Sequence, residues 1–156
     1  MSLHYLTVQD ILWINQQITK RTQSFDYARL EESTFYQYGY GQSSSLLSQA
    51  SRFLCGFAHK QPFPMGNEAT AFVGTLAFLK LNGMRWTLSD DTAQHWLERA
   101  TKDSGSATTA LAEVVEEDPN FHEVEAPDIR AAVLEVMDAY PRTLALIGHG
   151  SAATLA

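Results

Sequence analysis

The longest apolar stretch of the chain runs from residue 68 to residue 81, and Glu68 and Lys80 are its only charged residues. Apolar residues fall on nearly all sides of the helix that this stretch predicts. A helix without a polar face is expected to lie inside a domain rather than on its surface. Asn82 and Gly83 follow, and both residue types tolerate the left-handed conformation that ends helices. The pattern therefore predicts a buried central helix.

Shorter amphipathic segments flank this stretch. Thr7 and Asp10 form a capping pattern before a first helix, whose apolar face carries Val8, Ile11, Leu12 and Ile18. The pattern also predicts helices over residues 27–36, from residue 46 to about 58, from the cap at 89–91, over 109–117, and from Pro127 to Pro141. Residues 85–88 are predicted as an extended link and 103–106 as a break. The predicted fold class is all-α, a helical bundle around the central helix.

Length and composition limit the domain organisation and the partners. The 156 residues suit a single domain, which we place at residues 1–141 with a C-terminal extension at 142–156. The net charge of −7, with 11 basic residues that form no cluster, argues against nucleic-acid binding. One cysteine suits a reducing compartment. No signal pattern is present, and no apolar run reaches the roughly 20 residues of a membrane span. We therefore expect a cytoplasmic protein that does not bind membranes.

The front of the central helix contains a candidate site. Gly66 and Asn67 lead directly into the first turn, where free backbone N–H groups form a general anion site. The segment that contains Phe63, Gly66, Asn67, Thr70 and Ala71, continued by residues 75–83, resembles the signature of the Fic/Doc (Fido) family. That signature is a loop of the form H-x-F-x-D/E-G-N-K/G-R before a buried central helix. The resemblance is closest to Doc-type (death-on-curing) proteins and covers roughly residues 4–100. It implies a Fic/Doc-like bundle and an ancestry related to toxin–antitoxin systems.

The residues that carry the family's chemistry are absent at the matching positions. Gln61 stands where the family has its histidine base, and an amide cannot take up a proton. Met65 stands at the position of the acid that holds Mg²⁺, and a thioether is a poor ligand for that ion. Glu68 and Ala69 replace the basic pair that neutralises phosphate. A carboxylate at position 68 also suits the positive end of the helix dipole. These substitutions predict a pseudoenzyme with no confident catalytic residue.

Several residues near the site have two interpretations. Asn15 is either a satisfied core amide or a residue that lines the pocket. His59 is either an ordinary surface histidine or a substitute base, and we expect it to face away from Gln61 if the preceding helix continues that far. Tyr36, Tyr38 and Tyr40 alternate with small or polar residues. By the resemblance they form at most a small β-hairpin flap that pairs with a target strand; alternatively they lie in a surface loop.

Two functions follow from these observations. The first is a degenerate Doc/Fic-like protein that acts by binding a protein partner or a small ligand such as a nucleotide, with no cofactor and no metal site. The alternative is a divergent transferase that uses ATP with Mg²⁺ to AMPylate or phosphorylate a protein hydroxyl in the same cleft. The ligand or anion loop in either case comprises Phe63, Gly66, Asn67, Glu68 and Ala69. An open pocket with a bound anion favours the enzyme, and a cleft closed by Pro64, Met65 and Glu68 favours the pseudoenzyme.

Overall fold

A computed structural model describes residues 3–39 and 45–150 of the chain. The elements in the described residues follow one another in this order: α1 (Val8–Thr19), α2 (Tyr27–Phe35), α3 (Leu46–Lys60), α4 (Asn67–Leu81), β1 (Met84–Trp86), α5 (Ala93–Ala100), α6 (Ser104–Val114), β2 (Val115–Glu117), α7 (Ile129–Ala139) and α8 (Pro141–Ile147). The described part is thus mostly helical with one small two-stranded sheet, and the all-α prediction is confirmed at this level. None of the described helices is long and apolar enough to cross a membrane.

The prediction of a buried central helix is also confirmed. In α4 every residue except Glu68 and Lys80 is buried, and the helix contacts α1, α3, α7, α8 and β1. Phe72 illustrates the packing, because its ring forms T-shaped contacts with the Tyr140 and Trp96 rings at centroid distances of 5.0 and 6.4 Å. Gly83 ends the segment with a φ of +93°, whereas Asn82 keeps a negative φ. The Asn82 side chain instead ties the N-terminal segment to the helix end by bonding both backbone groups of His4.

Side-chain caps define the starts of the outer helices. The capping box of Thr7 and Asp10 is present at α1 as predicted. Asp26, Ser45 and Asp128 accept a backbone N–H three residues on, which satisfies one free donor at the starts of α2, α3 and α7. Asp103 does the same for α6, so residues 104–106 are helical and the predicted break there is wrong. We interpreted these short polar residues as a break, whereas Asp103 caps α6.

The strand content lies elsewhere than predicted. β1 pairs antiparallel with β2, with Arg85 opposite Glu116, so residues 115–117 belong to a strand rather than to the end of the predicted helix. An ion pair of 2.8 Å between these two side chains supports the register. Residues 36–38 form a turn and bend instead of an extended strand. Gln37 stabilises this turn, because its buried amide forms hydrogen bonds with both backbone groups of Leu6 and with the carbonyl of Thr34.

The helix α8 was not predicted, and a residue far away in the sequence holds its start. Asp90 accepts hydrogen bonds of 2.9 Å from the backbone N–H groups of Arg142 and Thr143, and one of 2.8 Å from the Thr143 hydroxyl. Asp90 thus caps α8 rather than α5. Desolvation acts to raise the pKa of the Asp90 carboxyl, but these hydrogen bonds and the charge of Arg142 outweigh it and hold the pKa below its ordinary value.

Replacing Asp90 with alanine is expected to lower the free energy of unfolding by about 1–2 kcal/mol at pH 7, the usual loss for a helix cap. Because folding lowers the pKa of Asp90, its stabilisation is present above the ordinary value of 3.8 and disappears as the pH falls through the folded-state pKa. Urea unfolding at several pH values measures this. Asp91→Ala is the control, since it removes only an exposed ion pair with Arg142, typically about 0–1 kcal/mol. Equal losses in the two variants would contradict the capping role.

Candidate functional site

The site begins at a short loop between α3 and α4. Gln61 ends α3 in the left-handed conformation, with a φ of +53°, and so turns the chain away from the helix axis. Across the loop, the buried Asn67 side chain donates to the Phe63 carbonyl at 2.7 Å and accepts the Phe63 N–H at 2.9 Å. Gly66 also has a positive φ, of +79°, at the start of α4. Local side-chain bonds and two left-handed residues thus fix the loop.

A buried amide network holds the loop from the α1 side. Asn15 is 2% exposed and donates to the Met65 carbonyl at 3.1 Å and to the Thr70 hydroxyl at 3.2 Å. Gln23 donates to the Asn15 oxygen and bonds both backbone groups of Met65. Asn15 therefore has the environment of a core amide whose hydrogen bonds are satisfied, and it lies on the apolar face of α1. Its contacts position the loop rather than face the open space above it.

The segment after α8 lies directly over the loop. The Gly66 N–H, which we predicted to be free for an anion, donates to the Gly150 carbonyl at 2.9 Å. The Gly148 carbonyl is also close, since a Cβ added to Gly66 would lie 3.2 Å from it. A backbone carbonyl carries the partial negative charge that an anion would bring to this donor. One donor of the expected anion site is therefore already occupied from within the chain.

A cavity of about 400 Å³ opens beside this contact, between the end of α3, the start of α4, the end of α5 and the C-terminal segment. The residues that line it are Ala58, His59, Gln61, Asn67, Glu68, Glu98, Thr101, Ile147 and Gly150. Neither Pro64 nor Met65 closes it. The pocket is thus open, although its walls differ from those of a phosphate site.

The charge of the cavity is negative. Glu68 and Glu98 both line it, and it has no Lys or Arg among its lining residues in the described chain. Burial raises the pKa of the Glu68 carboxyl, and the negative charge of Glu98 raises it further. Both effects disfavour the ionised form, so they oppose the stabilisation expected from the helix dipole. A second negative group, such as a phosphate, would be repelled by the same two carboxylates.

His59 lines this cavity, because the condition under which we expected it to face away, a helix that continues through Gln61, is not met. The helix α3 continues to Lys60, but Gln61 leaves it in the left-handed conformation, and so both side chains reach the same space. The His59 Nε2 lies 2.6 Å from the Thr101 carbonyl oxygen. A carbonyl can only accept, so Nε2 carries the proton and Nδ1 is the nitrogen that is unprotonated in the neutral ring.

The other predicted loop residues lie outside the cavity. Phe63 is 3% exposed and packs against Phe25 and Phe57, while Ala69 is fully buried in the core. Position 69 therefore has no access to a ligand in this fold. Met65 is half-buried, and its backbone is held by Asn15 and Gln23. Of the five loop residues that we named, the cavity brings together only Asn67 and Glu68.

Sequence reasoning missed Glu98, Thr101, Ile147 and Gly150 as wall residues. Glu98 and Thr101 lie near and just after the end of α5, and the other two belong to the segment assigned as an extension. A polar position beside the stripe of Ala93, Trp96, Leu97 and Ala100 gives no sign that it will meet the start of α4. Only the packing of the helices brings these residues together.

Two tyrosines of the proposed flap pack against neighbouring side chains. Tyr36 donates its hydroxyl to Glu32 at 3.0 Å and lies over Gly56. The Tyr38 ring packs at a tilt against Tyr5, with a centroid distance of 4.4 Å. Tyr40 lies outside the described residues.

Cys55 is 7% exposed, and burial raises the pKa of its thiol. It is a small buried side chain, as expected for a thiol with no activating cation.

Among the described residues, no three side chains of His, Cys, Asp or Glu are grouped so as to hold a metal ion. A scan against protein-family models found no match for the chain. Searches of curated proteins and of solved structures found no match either.

Proposed function

We propose that the chain is a Doc/Fic-like helical domain that binds a partner without transferring a nucleotide to it. The resemblance of the loop and central helix carries the proposal of ancestry, including the relation to toxin–antitoxin systems. The binding site in this proposal is the cavity at the N-terminal end of α4. Its partner is a protein segment or small ligand that presents a neutral or positively charged group.

The observation that carries the proposal is the acidic wall of this cavity. Glu68 and Glu98 stand beside the helix start where the resemblance would place a phosphate. At an effective dielectric constant of about 20, two like charges 4 Å apart repel by about 4 kcal/mol before screening. The Gly66 N–H, which a phosphate would need, is bonded to Gly150. Gln61 on the same wall cannot act as a base.

Incubation of the purified protein with Mg²⁺ and labelled ATP, in the presence of a cell extract, tests the proposal. We expect no label beyond that of the extract alone, because base, metal ligand and phosphate-binding cations are all replaced. The matched variant is Gln61→Ala, which changes a wall residue of the cavity. Label transfer by the wild-type protein that disappears in Gln61→Ala would overturn the proposal.

One observation favours the alternative of a divergent transferase. His59 lies on the cavity wall with Nδ1 as its unprotonated nitrogen, and a histidine is the usual general base near neutral pH. Label transfer that persists in Gln61→Ala but is lost in His59→Gln would assign the role of base to His59. The same outcome would exclude the binding-only function.

A further inference from the structure

A second cavity lies at the opposite end of the central helix. It has a volume of about 520 Å³ and is enclosed by the end of α4, the loop 118–128 and one face of α7. We call it the loop groove. Leu81, Phe121 and Ala132 contribute apolar surface, and Val124 stands at its edge with half of its surface exposed. Its size and mixture of surfaces fall within the range of binding pockets, about 300–1,000 Å³.

The loop that forms the groove is anchored at both ends. The Asp118 N–H donates to the Gly83 carbonyl at 2.8 Å, and the Phe121 ring lies against Gly83. At the other end, Asp128 caps α7 through the Ala131 N–H. Residues 122–126 between these anchors are exposed. The groove is therefore a fixed feature of the fold, while the side chains at its edge are open to a partner.

Acidic side chains line the groove and are concentrated in the segment that forms it. Asp118, Asp128 and Glu135 line the groove. Residues 116–128 contain no Lys or Arg, and they also include Glu116, Glu117, Glu123 and Glu125. Of these, Glu116 pairs with Arg85. Lys80 is the one cation that lines the groove in the described chain, and Glu135 already pairs with it at 2.5 Å. The unneutralised charge around the groove is thus negative.

We propose that the loop groove binds a basic peptide segment of another protein, with an apolar side chain in the groove and flanking Lys or Arg residues along its edge. Charge complementarity selects this occupant. A second copy of the chain would bring the same acidic edge and a net charge of −7 to the contact. The apolar surface requires an apolar anchor as well, so charge alone is not sufficient. The inference does not depend on the cavity at the start of α4.

Fluorescence polarisation with three labelled hexapeptides tests this proposal. The peptide KRLFKR has both features, KRSGKR has only the charge, and EELFEE has only the apolar pair. We expect saturable binding of KRLFKR alone, weakened by added salt because the edge charges are exposed. Ala131→Trp fills the groove from an exposed position of α7 and is expected to weaken binding by about tenfold or more. The double variant Glu123→Gln/Glu125→Gln, which leaves the groove open, is expected to weaken it several-fold.

Ala139→Trp is the matched control, since Ala139 is exposed on the same helix and does not line the groove. Circular dichroism of each variant checks that the fold is retained. Equal binding of KRSGKR, an equal loss in Ala139→Trp, or no saturable binding of KRLFKR up to about 1 mM would overturn the proposal. Self-association that Ala131→Trp abolishes would assign the groove to a second copy instead, and would overturn it too.

Discussion

Replacing Gly66 with alanine is expected to lower the free energy of unfolding by about 2–5 kcal/mol. Two costs add. A φ of +79° places a residue with a Cβ in the left-handed region, at roughly 1–2 kcal/mol. The new Cβ would also lie 2.8 Å from Thr19 Cγ2, and such overpacking costs about 1–3 kcal/mol. Urea unfolding of the variant and the wild type measures the difference.

Gly105→Ala provides the control for this experiment. Gly105 lies in the first turn of α6, where an added Cβ would meet only Asp103 Oδ1 at 3.4 Å. Alanine favours a helix over glycine by up to about 1 kcal/mol, so this variant should be as stable as the wild type or more so. Amide exchange gives a second measurement. The new Cβ would lie 3.2 Å from the Gly148 carbonyl and should displace the segment that contains Gly150. Because the Gly150 carbonyl accepts the N–H of residue 66, this N–H should then exchange faster. An unchanged stability of Gly66→Ala would mean that the loop does not have the described conformation.

The parts of the fold that were predictable depend on local pattern. A stretch with no polar face gave α4, and Thr7 with Asp10 gave the start of α1, because both signals lie within a few adjacent residues. Asp103 shows the limit of this reasoning. The same short polar residues occur in caps and in breaks, and only the hydrogen bond to Ser106 distinguishes the two.

The parts that were missed depend on residues far apart in the sequence. Asp90 and Thr143 are 53 positions apart, and β1 and β2 about 30, so no local window contains both partners. A capping aspartate next to α5 was naturally assigned to α5. Three-residue strands also contain too few side chains to show an alternating pattern.

The candidate site divides in the same way. Its loop and helix start were identified from the sequence, because Gly66 and Asn67 precede a long apolar run. The negative charge of the site was not fully predicted, because one of its two acidic wall residues is Glu98, on another helix. Ala69 belongs to the apolar stretch that predicts burial, and only the family resemblance placed it in the ligand loop. A site that several helices form is only partly present in any one motif.

Reversing the charge at position 68 is expected to give the cavity a measurable affinity for Mg²⁺-ATP, at least about tenfold above that of the wild type. Glu68→Lys replaces a repulsive partner of the phosphate with an attractive one and also pairs with Glu98. A charge pair at 4 Å is worth about 4 kcal/mol at an effective dielectric constant of 20. A third of that value is enough, since tenfold corresponds to about 1.4 kcal/mol. Titration calorimetry of the folded variant measures it.

Adding Gln61→His to Glu68→Lys is expected to increase this affinity further, because position 61 lines the cavity and the change introduces the histidine of the family that the loop resembles. Met65→Asp is left out because Met65 lies outside the cavity. Ala69→Arg is left out because position 69 is fully buried, and an unpaired guanidinium there would unfold the domain before it met a ligand. The control is Glu31→Lys on α2, which changes the net charge equally and lies away from the cavity. Equal gains in affinity for Glu31→Lys and Glu68→Lys would mean that net charge alone explains the effect. If neither Glu68→Lys nor the double variant Gln61→His/Glu68→Lys binds Mg²⁺-ATP, the Gly150 contact and the cavity shape exclude nucleotides whatever the charge, and the family resemblance has no bearing on the ligand.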